Sequence, residues 1–285
     1  MTLLPIDVVR LSGKGANEYL QGQVTADVNL LTEQGGSLDA FVLEPTGKVH
    51  SLVTIVRSED TLNLLVDKGY GQTLLSRLKR FAIRAKTEFS LESDVEVFTS
   101  DGEMIMGGEP LVYVASRLLP TPFSIGTFDI DRSSAAKVDL SANLEYLGLL
   151  RSKQIAPLMR DLENVSVFPA TFSDIFADLV SLSKGCYTGQ ELVARMDSRG
   201  SIAPLVFATF ISHERLDQSI NSDNLMVEGS DAGNVTSFYF DTGSNHIIAT
   251  GYIKRRFVDS YSLEFVGVST GATFERIKPP SAVPL

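Results

Sequence analysis

The sequence has 285 residues, 44 % hydrophobic and 21 % charged, the make-up of an ordinary globular protein large enough to hold two domains. Its formal net charge of −10 argues against a protein that coats nucleic acid by bulk electrostatics. The single cysteine rules out an internal disulfide, no stretch reaches the ~18 apolar residues of a membrane span, and the start Met1-Thr2-Leu3-Leu4-Pro5-Ile6-Asp7 lacks a basic region followed by an apolar core. Together these features predict a cytoplasmic protein with no signal peptide and no membrane contact.

Residues 7–11 carry Val8, Val9 and Leu11 and predict a strand. A short helix follows over 17–23, with Tyr19 and Leu20 turned inward. Residues 38–44 and 48–57 are extended apolar segments separated by the turn Pro45-Thr46-Gly47, which predicts a hairpin. Leu62, Leu64 and Val66 alternate as in a strand. Leu74, Leu75, Leu78 and Phe81 fall at helical spacing over 71–81. Two further strands are expected at 86–91 and 94–99. From 141 the pattern turns helical, with Leu144, Leu147, Gly148 and Arg151 on related faces. Residues 156–172, with Pro157 and Pro169, read as an irregular connection of the kind that often carries function. After Gly200, strand-like runs at 205–211, 234–240, 247–253 and 261–267 lie between Gly, Asn and Asp clusters and suggest a small antiparallel barrel or sandwich. The boundary falls near 200–204, giving domains 1–200 and 201–285 in an α+β protein. Two basic runs, Leu78-Lys79-Arg80-Phe81-Ala82-Ile83-Arg84-Ala85-Lys86 and Lys254-Arg255-Arg256, read as solvated faces.

The segment Lys184-Gly185-Cys186-Tyr187-Thr188-Gly189-Gln190-Glu191, continuing to Arg195 and Arg199-Gly200, stands out because it holds the only cysteine. It reads as a loop feeding a helix that starts at Gly189. Thr188 is placed to cap that helix, with Glu191 three residues later completing a capping box. Cys186 then precedes a positive helix end and lies two residues from the Lys184 ammonium, and both favour a thiolate. The alternative is a buried cysteine acting as a small hydrophobe. The histidines His50, His213 and His246 lie far apart in the chain and form no spaced metal set, and no zinc, Walker or dinucleotide fingerprint occurs.

This segment resembles the signature of the YgfZ family of folate-binding proteins, relatives of the glycine-cleavage T protein. Leu20-Gln21-Gly22-Gln23-Val24-Thr25-Ala26-Asp27-Val28, Pro45-Thr46-Gly47-Lys48, Arg80 to Lys86, and Arg151 with Pro157 are similar to family segments in the same order. Beyond Gly200, mainly Gly251-Tyr252-Ile253-Lys254-Arg255 fits. The resemblance implies a T-protein-like folate-binding fold followed by a C-terminal β-barrel. It implies tetrahydrofolate or a one-carbon derivative as ligand. It also implies a role in assembly or repair of iron–sulfur enzymes, with those enzymes or cluster-assembly proteins as partners, indirectly supporting tRNA thiomethylation. The chain departs from the family in having no Trp to stack on the folate, a place that Tyr146 or Ile6 would have to fill, and in carrying Ala170-Thr171 where relatives often have Glu.

A folate has a flat pterin with a polar edge and an anionic tail. On the resemblance, Gln21, Gln23, Asp27, Tyr187, Gln190 and Glu191 are the polar contacts, and Lys184, Arg84 and Arg195 the cationic ones. Each has a structural alternative: Glu191 as a helix cap, Arg195 as its helix-surface partner, Asp27 as the cap of a turn, Gln21 and Gln23 as solvated side chains. A cluster usually needs four thiolates, and this chain has one. Cys186 is then a transient ligand to a shared cluster, a nucleophile or sulfur-exchange site, or a redox-sensitive thiol, with no resident metal. A folate-dependent aminomethyltransferase, a binding module acting through its barrel, and a folate-dependent demethylating oxidase are the rival readings.

Overall fold

A computed structural model describes residues 2–31, 36–83, 85–99, 116, 118–119, 123–126, 140–198, 203–214, 222–259 and 263–278. Arg84 and the pair Arg199-Gly200 lie outside the described residues. The chain divides into two compact units, one formed by Met1–Leu147 with Ala177–Leu192, the other by Gly148–Phe176 with Val193–Leu285.

In the first unit the elements run β1 (Thr2–Leu4), β2 (Ile6–Ser12), α1 (Ala16–Gln21), β3 (Ser37–Leu43), β4 (Val49–Ser58), β5 (Thr61–Asp67), α2 (Gly71–Arg80), β6 (Glu88–Glu92), β7 (Glu96–Thr99) and β8 (Phe123–Gly126). Five strands form an antiparallel sheet in the order β3-β4-β5-β2-β6, and β1-β7-β8 form a smaller one. The β3–β4 hairpin follows the expected course, pairing Leu38 with Ile55 and Phe41 with Leu52. Its turn is closed by Glu44 N–H donating to the Lys48 carbonyl at 2.8 Å. Strands β4 and β5 are buried over nearly their whole length, so both faces are covered and their apolar residues run almost without interruption. Helix α2 places Leu74, Leu75 and Leu78 in the core, and it packs against β2 and β6. Strands β1 and β8 have no counterpart in the sequence reading, because three or four residues carry too little alternation to be seen.

Among the described residues three helices follow: α3 (Leu140–Lys153), α4 (Ser173–Leu179) and α5 (Gln190–Ser198). The irregular stretch between α3 and α4 contains two tight 3₁₀ turns, Met159–Leu162 and Pro169–Phe172. The last strands are β9 (Leu205–Ser212), β10 (Asp223–Val227), β11 (Ser230–Asp241), β12 (His246–Lys254), β13 (Glu264–Gly267) and β14 (Thr273–Arg276). They close into an antiparallel barrel in the order β10-β11-β12-β9-β14-β13. Two of these six, β10 and β14, were not among the expected runs; each carries charged residues within four or five positions, which hides the apolar face. Val206, Phe210, Leu225, Val235, Phe265 and Phe274 fill the interior, with Phe210 and Phe265 edge to face at 5.3 Å. Gly251 lets β11 and β12 approach closely, since a Cβ there would lie 2.1 Å from the Asn234 carbonyl oxygen.

Candidate functional site

Three segments that are far apart in sequence meet in the first unit: the exit from α1, the β3–β4 turn, and residues 179–192. Helix α1 buries Leu20 and ends at Gly22, after which Gln23, Val24, Thr25 and Ala26 all run buried. Thr25 is the first tie. Its hydroxyl donates to the Leu179 carbonyl at 2.5 Å and accepts the Phe41 N–H at 2.9 Å. Ser181 N–H donates to the Thr25 carbonyl, and Thr188 N–H to that of Gly22.

Lys184 provides the central tie. Only 8 % exposed, it donates from Nζ to the carbonyl oxygens of Gln21 at 2.7 Å, Val24 at 2.9 Å and Ala26 at 2.7 Å. An ammonium has three N–H groups, and all three are used. Burial pushes its pKa down to about 8, with the Asp27 charge opposing. The Tyr187 ring lies 5.2 Å from Nζ and is itself buried, which pushes its phenol up to about 12. The sequence had placed the Lys184 charge beside the thiol. The structure instead turns it inward as the anchor of the loop, while Cys186 is exposed.

The loop-to-helix junction also differs from expectation. Helix α5 begins at Gln190, one residue later than predicted, and Thr188 is not its cap. The Thr188 hydroxyl faces the Gly22 carbonyl and Gln23 Oε1 at 3.4 and 3.5 Å, while Gln190 Oε1 reaches back to accept the Tyr187 N–H at 3.3 Å. Gly189 turns the chain with φ of +82°, and a Cβ there would stand 2.7 Å from the Glu44 carbonyl oxygen. Glycine is required on both counts. Glu191 is exposed.

Asp27 and Gln21 form a pair at the rim of this cluster. Gln21 Nε2 donates to Asp27 Oδ1 at 2.8 Å, and Gln21 Oε1 accepts the Val28 N–H. Asp27 Oδ1 also accepts the Asn29 N–H at 3.1 Å and so caps the 3₁₀ turn Val28–Leu30. Its other carboxylate oxygen has no partner among the described residues. Leu30 and Leu182, on the same two segments, are 69 % and 56 % exposed.

Sequence reasoning missed the residue beneath the hairpin turn. Arg77, only 1 % exposed, donates from Nη2 to the Leu43 carbonyl and from Nη1 to Gln23 Oε1 at 3.4 Å. Its Nε faces Glu44 Oε2 at 3.8 Å, and its guanidinium lies 4.2 Å from the Phe81 ring centroid. His50 joins through Glu44 Oε1 at 3.9 Å, and burial lowers its pKa. Arg77 stands just before the basic run 78–86 and drew no reading from the sequence. Its place between Leu74, Leu75 and Leu78 was the available signal.

The structure therefore gathers Gln21, Gln23, Asp27, Lys184, Tyr187 and Gln190. Tyr146 is 37 % exposed on α3. Arg195 is exposed on the part of α5 that belongs to the second unit. Within that unit Arg151 Nη1 donates to the Pro157 carbonyl at 3.1 Å, joining two residues that the family pattern had also paired. Among the described residues, no helix is long and apolar enough to cross a membrane.

No protein-family model matches the chain. It is 28 % identical over 271 residues to the tRNA-modifying protein YgfZ of Vibrio vulnificus, covering 84 % of this chain and 79 % of that one. To the tRNA-modifying protein YgfZ of Colwellia psychrerythraea it is 26 % identical over 239 residues, covering 76 % and 72 %. Among solved structures it is similar to the glycine cleavage system aminomethyltransferase T from Bartonella henselae, with a TM-score of 0.74 at 14 % identity over 97 % of this chain and 84 % of the other. The fold is thus that of the T protein with a closed six-stranded barrel, and in sequence the chain is similar to proteins named tRNA-modifying protein YgfZ.

Proposed function

We propose that this protein binds a reduced folate and serves iron–sulfur enzymes, or the proteins that assemble their clusters, as an accessory in tRNA modification. The observation that carries this reading is the exposed Cys186 thiol on a loop fixed from beneath by Lys184. A single thiol does not hold a cluster alone, so its chemistry is directed at a client: one ligand to a shared cluster, sulfur exchange, or redox exchange.

The residues present fit the pterin end of a folate. The Asp27 oxygen that has no partner among the described residues and the amide of Gln21 match its polar edge, and exposed Leu30 and Leu182 offer apolar surface. Lys184, whose N–H groups are all used, anchors the loop and does not grip the tail. When bound, the folate would supply one-carbon chemistry; Asp27 and Gln21 would hold and orient it.

The test is the thiomethylated-nucleoside content of tRNA in cells lacking the native protein, rescued with wild type or Cys186→Ala at matched expression. Rescue by wild type alone is the expected result. Equal rescue by both refutes the thiol's role, and rescue by neither refutes the tRNA client. The T-protein fold favours one second reading, a folate-dependent aminomethyltransferase. Robust formation of methylenetetrahydrofolate from an aminomethyl donor would put that reading first.

A further inference from the structure

Two of the three histidines, 33 residues apart in sequence, meet at one end of the barrel wall. The β9–β12 ladder ends with Ser212 opposite Ile247, so His213, just past β9, and His246, the first residue of β12, face each other. Their Nδ1 atoms are 3.2 Å apart. The rings stand at 83° with centroids 4.3 Å apart. His213 is exposed and His246 half-buried, so solvent reaches the pair.

From this geometry we infer that His213 and His246 form a binding site for a borderline divalent cation, of the class of Zn²⁺, Ni²⁺ or Cu²⁺, through their Nδ1 atoms. Imidazole nitrogen is the preferred donor for these ions. An ion about 2.0–2.1 Å from both nitrogens would subtend an angle of about 105° between them, close to tetrahedral. Without an ion, one Nδ1 must carry the proton that the other accepts. With an ion bound, both rings keep their proton on Nε2 and present Nδ1 lone pairs, so a change of tautomer suffices and no proton need be lost.

The nearby carboxylates hold other partners. Asp241, across the β11–β12 ladder from His246, pairs with Lys153 Nζ at 3.0 Å and accepts the Gly243 N–H. Glu214 Oε1 accepts the Thr273 N–H. Among the described residues, no group of three or more His, Cys, Asp or Glu is arranged to hold a metal, so water completes the coordination and the site is exchangeable. An ion there would clamp the ends of β9 and β12 together and stabilise the barrel by mass action.

The experiment titrates Zn²⁺ into the full chain by calorimetry, in a Cys186→Ser background that removes the competing thiol. It records Cu²⁺ paramagnetic resonance on the same samples. About one equivalent is expected to bind, with nitrogen hyperfine coupling from two imidazoles, and His213→Ala or His246→Ala should each weaken binding about tenfold or more. Zn²⁺ should raise the melting temperature of the parent and not of either variant. His50→Ala controls for the remaining histidine and should leave binding unchanged. Because His213 is exposed, its variant folds, as circular dichroism would verify. Binding untouched by both barrel substitutions, or no binding at millimolar Zn²⁺, overturns the site.

Discussion

In the first unit a buried cation, Lys184, is surrounded by three backbone carbonyl oxygens; in the second a buried anion, Asp161, is surrounded by hydroxyls and a backbone N–H. Asp161 is 1 % exposed. Its Oδ1 accepts from the hydroxyls of Thr236 and Ser237 at 2.6 Å each and of Thr250 at 3.3 Å, and its Oδ2 from Leu158 N–H at 2.9 Å. Tyr252 adds a bond from its hydroxyl to the Asp161 carbonyl at 2.7 Å, and burial pushes that phenol far up. Both charges replace water with fixed dipoles, but the dipoles differ in kind. Lys184 uses backbone oxygens, which any residue at 21, 24 and 26 would provide, so it fixes the path of a loop. Asp161 uses side chains on β11 and β12, so it ties a turn to particular barrel residues. One arrangement displays a loop, and the other holds a wall.

The largest effect should come from breaking the second. Asp161→Ala strips an acceptor from three hydroxyls and an amide in a dry setting, and should destabilise the protein by about 3–5 kcal/mol. Chemical denaturation measures this. Asp161→Asn keeps the shape and part of the bonding and should lose about half as much. If Asp161→Ala loses less than Lys184→Met, the contrast between wall and loop is wrong.

A smaller loss, about 2 kcal/mol, is expected for Lys184→Met, because the cost of leaving three carbonyls unpaired is partly offset by no longer burying an ammonium. Hydrogen exchange should localise the damage, with protection lost at the Ser181 and Thr188 amides. The pH dependence sharpens the test. Burial holds Lys184 at about 8 in the folded protein against its usual 10.5. Between those values the unfolded chain binds the extra proton, so the stability this group contributes rises with pH across the window. The stability difference between wild type and Lys184→Met should therefore widen from pH 8 towards 10. A difference that shrinks would mean that the three hydrogen bonds outweigh desolvation and hold the ammonium charged.

What could be read in advance follows from how far apart the interacting residues are. The β3–β4 hairpin, α2 and most barrel strands were visible because period and turn chemistry are local. The segments 20–28, 45–48 and 184–191 were singled out by the family resemblance, and they do converge. The roles inside that convergence were not legible. Lys184 looked like a neighbour of Cys186 because the two are close in sequence, whereas its partners lie 158 to 163 residues away. Thr25, bonded to Leu179 across 154 residues, drew no notice, and Asp161 was one charge in an irregular stretch. His213 and His246 read as scattered for the same reason, since only the barrel register brings them together. The Asp27 cap was among the alternatives considered, because an Asp before a tight turn is a local signal.

The smallest effect sharpens the comparison from the display side. If Lys184 supports the loop and Cys186 is what the loop presents, the two must separate in stability and in reactivity. Cys186 is exposed, and the neighbouring Gly185 has open space where a Cβ would stand. Cys186→Ala should therefore shift folding stability by no more than about 0.5 kcal/mol. The native thiol should react fully with a small aromatic disulfide before any unfolding, at a rate independent of low denaturant. Lys184→Met should leave the thiol reactive while changing its rate, since the loop that carries it is no longer fixed. A thiol that reacts only on unfolding would mean that the loop covers the cysteine, and the display reading would fall.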